Sequence, residues 1–401
     1  MRTESAGSRL RILQVAASYY PAVRYGGPIR SVHGLAAALA KQGHDVHVYT
    51  TNADGDSVLD VPVNRPVDVD GVQVHYFPVS TVLKRLYWSP TLERRVRDSI
   101  SGFDVLHLHA VFLLPMRAAA RAAARAGVPY VIAPRGMLIR DVIHRKSRWV
   151  KTAWINLVER TTLANAAAVH VTADLEGTEL EALGLPAHRI ERIPNGVEWP
   201  AEHAPLEQGP FAHLPERYVL FLSRISWKKG LDRLITAWQW VPGIPLVIAG
   251  NDDENYRPRL EELARSLGVA DRVLFVGPAS DAHKWALYAR AQLFVLPSYS
   301  ENFGNVVAEA MAMGCPSLVT RDVGIAPLLT AAGAGKVISG DPEALAAEIR
   351  TLLADPTARR EMGRRGAEAA RAELSWPGVA CRVEQLYRDM LRQKAILARA
   401  A

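Results

Sequence analysis

Two carboxylates eight positions apart, Glu301 and Glu309, frame a segment suited to a phosphorylated, hydroxyl-rich ligand. Residues 294–296 form a buried apolar run and residues 297–304 a loop. Residues 305–313 read as a helix that Gly314 stops, with Pro316 just beyond. The first N–H groups of a helix lack internal partners, so a helix start behind a glycine-containing loop accepts a phosphate. Asn302, Phe303, Gly304, Asn305 and Val306 are expected to offer backbone N–H groups to that phosphate and to sugar hydroxyls. The two glutamates cannot ligate a phosphate and need something uncharged and rich in hydroxyls. A sugar joined through a phosphate answers both demands.

Breaking such a bond requires stabilising a diphosphate as it leaves. Arg224 and Lys229 follow the apolar run 219–222. A guanidinium supplies paired, directional donors and an ammonium a compact charge. Hydrogen bonds to charged groups contribute about 1.5–3 kcal/mol each, and they accelerate the reaction when they strengthen as charge develops. Gly26 and Gly27 lie between the first strand and the first helix, where the lack of a Cβ lets backbone N–H groups approach a phosphate. A G-x-G-x-x-G fingerprint is absent, and Thr50, Thr51 and Asn52 stand where a dinucleotide enzyme carries an acid. His109 ends another apolar strand, with His107 as its buried neighbour. Arg135 is expected to meet an acceptor phosphate, and Asn195–Gly196 to form a turn. Asn251, Asp252, Asp253 and Glu254 offer oxygen ligands, but the expectation is a polar strand-end loop, with no metal required.

These residues must be held by strands and helices that alternate along the chain. Apolar runs at 12–16, 46–50, 72–77, 105–108, 130–133 and 168–172 read as strands, with helical periodicity between most of them. A second series begins at Tyr218, with strands at 219–222, 246–249, 273–276, 294–296, 317–319 and 336–338. Between them, residues 197–216 are rich in proline and charge and read as a linker. Alternation of this kind predicts mostly parallel sheets covered on both faces, with ligands beyond the C-terminal strand ends.

The Glu301-x7-Glu309 pattern, RISWKKG around Arg224 and Lys229, IPNGV at 193–197, LHLHAVF around His109 and APRGML around Arg135 together resemble retaining glycosyltransferases of family 4. The resemblance spans roughly residues 10–390. It implies an α/β architecture of the GT-B type, two Rossmann-like domains facing a central cleft. The expected bounds are 1–197 for an acceptor-binding domain, 198–380 for a nucleotide-sugar-binding domain, and 381–401 for a C-terminal helix crossing back to the first domain. It further implies that Glu309 binds ribose hydroxyls, that Glu301 and His109 contact the donor hexose, and that no metal is obligatory. Asp281 and Lys284 look like the pair that reads guanine in members using GDP-mannose, which tips the expected donor slightly from UDP-hexose to GDP-mannose. The expected acceptor is a saccharide or lipid-linked saccharide, as in members that build bacterial exopolysaccharide or lipopolysaccharide. Epimerases and phosphorylases share the fold, but one would need no acceptor and the other inorganic phosphate.

The 401 residues are 49% hydrophobic and 22% charged, long enough for two domains. No apolar window suits a transmembrane helix and no leader is evident, so a cytoplasmic setting is expected. Cys315 and Cys381 show no metal spacing. The net charge of +7 gathers in the first half. Lys84 and Arg85 lie among Leu83, Leu86, Tyr87 and Trp88, and Arg94, Arg95 and Arg97 follow. Arg140, His144, Arg145, Lys146, Arg148 and Lys151 flank Trp149 and Trp154. Basic residues interleaved with bulky apolar ones fit peripheral contact with an anionic membrane. A nucleic-acid-binding module would share the charge but leave the two glutamates without a purpose, so no nucleic-acid partner is expected.

Overall fold

The computed structural model describes residues 8–22, 26–63, 65–140, 143, 148–200, 206 and 211–400. The chain divides into two compact units, residues 1–196 with 376–401, and residues 197–375. Much of the expected linker (201–205 and 207–210) and part of the second basic cluster (144–147) lie outside the described residues.

The first unit contains β1 (Arg11–Ala16), β2 (Asp45–Thr51), β3 (Ala53–Asp54), β4 (Ser57–Val58), β5 (Val67–Val69), β6 (Val72–Phe77), β7 (Val105–His109), β8 (Tyr130–Ala133), β9 (Ala168–Val171) and β10 (Ile190–Arg192). Its main sheet runs β10-β9-β8-β7-β1-β2-β6-β5 and is parallel except for the β5–β6 pair. Alternate residues of one strand feed two separate cores, as strand geometry demands. Leu13, Leu106, Leu108 and Ile132 join Leu92, Val96 and Met116, whereas Ile12, Val105 and Val131 join Leu35, Leu39 and the last helix. That helix, Trp376–Ala400, belongs to the first unit and is held by a stripe of Val379, Ala380, Val383, Leu386, Tyr387 and Met390. Each large apolar side chain buried there contributes about 1.5–3 kcal/mol. At its start the Trp376 indole lies over Gly34 and Gly196; a Cβ on either would come within 2.3 Å of the ring.

The second unit contains β11 (Val219–Leu222), β12 (Leu246–Ala249), β13 (Val273–Gly277), β14 (Leu293–Leu296), β15 (Ser317–Thr320) and β16 (Gly335–Ile338). They form one parallel sheet in the order β13-β12-β11-β14-β15-β16. Leu220, Ile248, Phe294, Val295 and Leu318 are completely buried, which is why these strands read as unbroken apolar runs. In each unit the strand order reverses beside the first strand, between β1 and β7 and between β11 and β14. Ligands of open parallel sheets settle at such switch points, beyond the C-terminal strand ends.

The segment 54–70, which shows no apolar run in the sequence, carries β4 and β5. β5 pairs antiparallel with β6 at the sheet edge. Its three residues, VDV, are too few to show a period. β10 was not anticipated for the same reason.

Candidate active-site residues

In the second unit, the loop after β14 is shaped by contacts that leave little freedom. The Glu301 N–H donates to the Asp322 carbonyl (2.9 Å), and the Glu301 and Phe303 carbonyls accept from Gly324 (3.0 Å) and Ile325 (2.8 Å). Gly304 has φ 98°, and a Cβ there would lie 2.9 Å from Val323 Cγ1. The helix Asn305–Ala312 starts at this glycine, whose carbonyl accepts from Val307 N (2.8 Å). Phe303 is buried; Asn302, Asn305 and Val306 are partly exposed at the helix start.

The loop after β11 packs against this one. The Tyr299 N–H donates to the Lys228 carbonyl at 2.7 Å, and a Cβ on Gly230 (φ 68°) would strike the Pro297 carbonyl oxygen at 2.0 Å. Lys229 therefore reaches Glu301, and its Nζ donates to Glu301 Oε2 with both side chains largely buried. Burial, and then the positive charge of Arg224, pushes the neighbouring Lys228 below its ordinary pKa. Arg224 itself is exposed and makes no hydrogen bond or ion pair among the described residues. The switch point thus carries a fixed lysine–glutamate pair and one uncommitted guanidinium.

Glu309, the second acid, has its own lysine. Lys284 Nζ donates to Glu309 Oε1 at 2.8 Å, and the Tyr288 hydroxyl donates to Oε2 at 3.2 Å. The Lys284 and Glu309 side chains are 10% and 15% exposed. Burial, and then the Glu309 charge, raises the Tyr288 phenol well above its usual value. Asp281 is 3.6 Å from Lys284 but its side chain is 60% exposed. Lys284 is thus drawn primarily to Glu309. The acidic loop at 251–254 serves local structure: both Asp252 oxygens accept from the Tyr256 and Arg257 N–H groups (2.7 and 3.0 Å), and Glu254 accepts from the Ser226 hydroxyl (3.0 Å). No group of three potential metal ligands occurs among the described residues.

In the first unit, Gly26 precedes the helix Gly27–Lys41 with φ 70°, a conformation that favours glycine, and among the described residues no non-neighbouring atom lies within 4 Å of where a Cβ would sit. His109 ends β7 and is 4% exposed. Its Nδ1 receives an Arg135 Nη2 donor at 3.1 Å, and its Nε2 lies 3.0 Å from Gln14 Oε1. A guanidinium only donates, so Nδ1 is the bare nitrogen and Nε2–H donates to Gln14. Burial, reinforced by His107 and Arg135, holds His109 well below the usual histidine range and therefore neutral at pH 7. Arg135 Nη1 donates to Asn195 Oδ1 (2.7 Å) and Ser31 Oγ (3.4 Å), so its guanidinium is engaged inside the unit. Its Nε and the Nε2 of Gln14 are buried without a hydrogen-bond partner among the described residues. His107 lies beneath, beside the Tyr387 hydroxyl (2.7 Å), and His170 Nε2–H donates to the Ile193 carbonyl (2.8 Å).

Sequence reasoning missed Gln14, Tyr288 and Glu176. The first two look like ordinary core positions. Glu176 accepts from the N–H groups of Gly136 (2.5 Å) and Thr172 (3.0 Å), pinning the turn that carries Arg135. An acid on the third residue of a helix, reaching back to a preceding N–H, is a legible capping signal.

The chain is similar to known proteins in sequence and in fold. Residues 26–196 match the family described as glycosyl transferase 4-like domain, and residues 207–369 match glycosyl transferases group 1. The chain is 29% identical to a glycogen synthase of Mycobacterium tuberculosis, with 94% of each chain covered. It is 27% identical to a D-inositol 3-phosphate glycosyltransferase of Xylanimonas cellulosilytica, covering 92% of this chain and 93% of that one. Among solved structures, a sucrose-phosphate synthase from Thermosynechococcus elongatus superposes with a TM-score of 0.77 at 23% identity, covering 96% of this chain and all of that one. HepE from Anabaena, solved in complex with UDP, gives 0.73 at 21% identity, covering 95% and 100%. The fold is the GT-B fold of these glycosyltransferases.

Proposed function

The chain belongs to the group 1 glycosyltransferases and uses a nucleotide sugar, and from that premise we propose that it transfers a hexose, with retention, to a saccharide or lipid-linked saccharide acceptor. The observation that carries this reading is the pairing of each glutamate of the E-x7-E segment with its own lysine, next to the uncommitted Arg224. Arg224 and Lys229 receive the departing diphosphate, Glu301 holds hexose hydroxyls, and Glu309 holds the ribose. The backbone at 302–306, with Gly26 and Gly27, approaches the phosphates. Cationic side chains and a helix start replace a metal, so none is obligatory. Glu301 is capped by Lys229 and makes a poor nucleophile. The acceptor therefore attacks from the face that the diphosphate leaves, and the leaving phosphate takes its proton.

His109 is a neutral hydrogen-bonding contact to the hexose, exchanging Gln14 for a sugar hydroxyl. An acceptor phosphate reaches Arg135 by displacing Asn195 or Ser31 from Nη1. The reading of GDP-mannose rests on Asp281. A second reading, UDP-hexose, is favoured by the commitment of Lys284 to Glu309 and by UDP in the solved relative. Competition of GDP and UDP for the donor site decides between them, stronger UDP binding excluding GDP-mannose. Exopolysaccharide or lipopolysaccharide assembly is the proposed setting, at the inner face of a cytoplasmic membrane. No helix among the described residues is long and apolar enough to cross a membrane. Trp149, Val150 and Leu157, on one helical run of the first unit, are 82%, 68% and 79% exposed and suit peripheral contact. The test of the whole reading is a mass-spectrometric screen of nucleotide sugars against lipid-linked oligosaccharides. Donor consumption without any acceptor, or no consumption at all, would sink it.

A further inference from the structure

The carboxylate of Glu159 is buried in the first unit, and the proposed chemistry leaves it without a task. It is 4% exposed and ends a π-helical turn, Ile155–Glu159, which interrupts the helical run between Arg148 and Ala164. Its Oε1 accepts two hydrogen bonds, from the Phe112 backbone N–H at 2.7 Å and from Trp154 Nε1 at 2.8 Å. Burial raises its pKa, opposed by these two donors and by Arg117.

Phe112 is the third residue past His109. The turn between them adopts φ 127° at Ala110 and φ 65° at Phe112, a region that L side chains rarely enter. The Ala110 N–H is fixed to the Ala133 carbonyl at 3.0 Å, so the far anchor of the turn is the Glu159 oxygen. Three unfavourable features meet here: non-glycine residues at positive φ, a buried carboxylate, and a helix that leaves α geometry where it delivers that carboxylate. A turn needed only for packing avoids the first by using glycine. Strain of this kind and π-turns both gather at functional sites.

We propose that Glu159 is a positioning residue for the transfer reaction, holding the strained turn at Ala110 and Phe112 so that β7 presents the His109 imidazole to the hexose. The inference rests on the reading of His109 as a donor-sugar contact. Glu159 touches no substrate; it acts through Phe112 N.

The test compares Glu159→Ala and Glu159→Gln in the full chain, with nucleotide-sugar turnover followed at saturating acceptor. A misplacement near 1 Å costs on the order of 100-fold, so the Ala variant should lose roughly 10- to 100-fold in kcat with donor KM within about threefold. The Gln variant keeps an Oε1 acceptor for both donors and should recover kcat to within about threefold. If the Ala variant does not fold, Glu159→Asp decides, because its shorter carboxylate should lower kcat at least about fivefold in a protein of near-normal Tm. Undiminished kcat in a folded Ala or Asp variant, or equal damage from Ala and Gln, overturns the proposal. Absence of any transfer by the wild-type chain refutes the parent reading, and this inference with it. Wild-type transfer with an unimpaired Ala variant refutes this inference alone.

Discussion

Replacing Lys284 with methionine removes the cation that faces Glu309 and keeps the apolar stem of the side chain out to Cε. Breaking a buried ion pair by removing one partner costs about 3–5 kcal/mol, because the other charge stays behind. Two facts lower that figure here. The Lys284 and Glu309 side chains retain 10% and 15% exposure, so water screens the abandoned carboxylate slightly, and the Tyr288 hydroxyl still donates to Oε2. A hydrogen bond of that kind retains about 1 kcal/mol, so the expected loss is about 2–3 kcal/mol. Removing both charges in Lys284→Met/Glu309→Gln leaves no orphan, so the double variant should lose no more than the single one, with a coupling of about 1–2 kcal/mol. The assay is urea unfolding at pH 7, taking the transition of the second unit because two units need not melt together. In parallel, donor KM should rise about tenfold in Lys284→Met, since the carboxylate proposed to bind ribose is no longer held. A single variant that loses under about 0.5 kcal/mol, or a cycle that shows no coupling, would refute the idea that Lys284 holds Glu309 in place.

Arg224→Ala and Lys229→Ala should each lower turnover at least about tenfold, read as initial rates by mass spectrometry, and near-normal rates in both would exclude their contact with the diphosphate. Transfer should survive EDTA; complete loss that Mg²⁺ restores would overturn the metal-independent mechanism. The first unit should be acid-labile: burial pushes His170 down to about 3, so the folded state binds fewer protons than the unfolded one below pH 6.5. Stability is therefore fully present above pH 6.5 and falls toward pH 3, by about 2 kcal/mol at pH 5 from this group alone, and a flat urea midpoint between pH 7 and pH 5 would contradict it. The chain should sediment with vesicles rich in anionic lipid, and Trp149→Ala/Leu157→Ala should reduce that binding; sedimentation unchanged by the substitutions would remove this face from the membrane contact.

The strands were legible because parallel strands covered on both faces read as continuous apolar runs. β6, β8, β11 and β12 fall where the runs 72–77, 130–133, 219–222 and 246–249 predicted them. The edges were not. β5 and β10 have three residues each and intermediate or exposed side chains, so neither length nor period marks them. The acids of the second unit were legible for a related reason: the segment that bears them is local, a strand, a glycine turn and a helix start within some twenty residues.

Their partners are not local, and that separates what a sequence pattern reveals from what the sheet decides. Lys229 meets Glu301 across 72 positions because β11 and β14 are neighbours in the sheet, although β12 and β13 lie between them along the chain. Spacing carries no trace of that adjacency. Lys284 meets Glu309 across 25 positions, between helices that follow β13 and β14, strands that do not touch. Read along the helix, Lys284 looks like a partner for Asp281 three residues before it, a pairing worth little at a solvated surface. In the fold the same ammonium is nearly buried and 2.8 Å from a carboxylate that is nearly buried too, so the longer-range partner wins. The same logic engages Arg135, proposed above to meet an acceptor phosphate, with His109 and Asn195 inside the unit. A buried guanidinium must spend its donors on whatever acceptors the neighbouring strands bring, and β7 and the chain beyond β10 bring an imidazole and an amide.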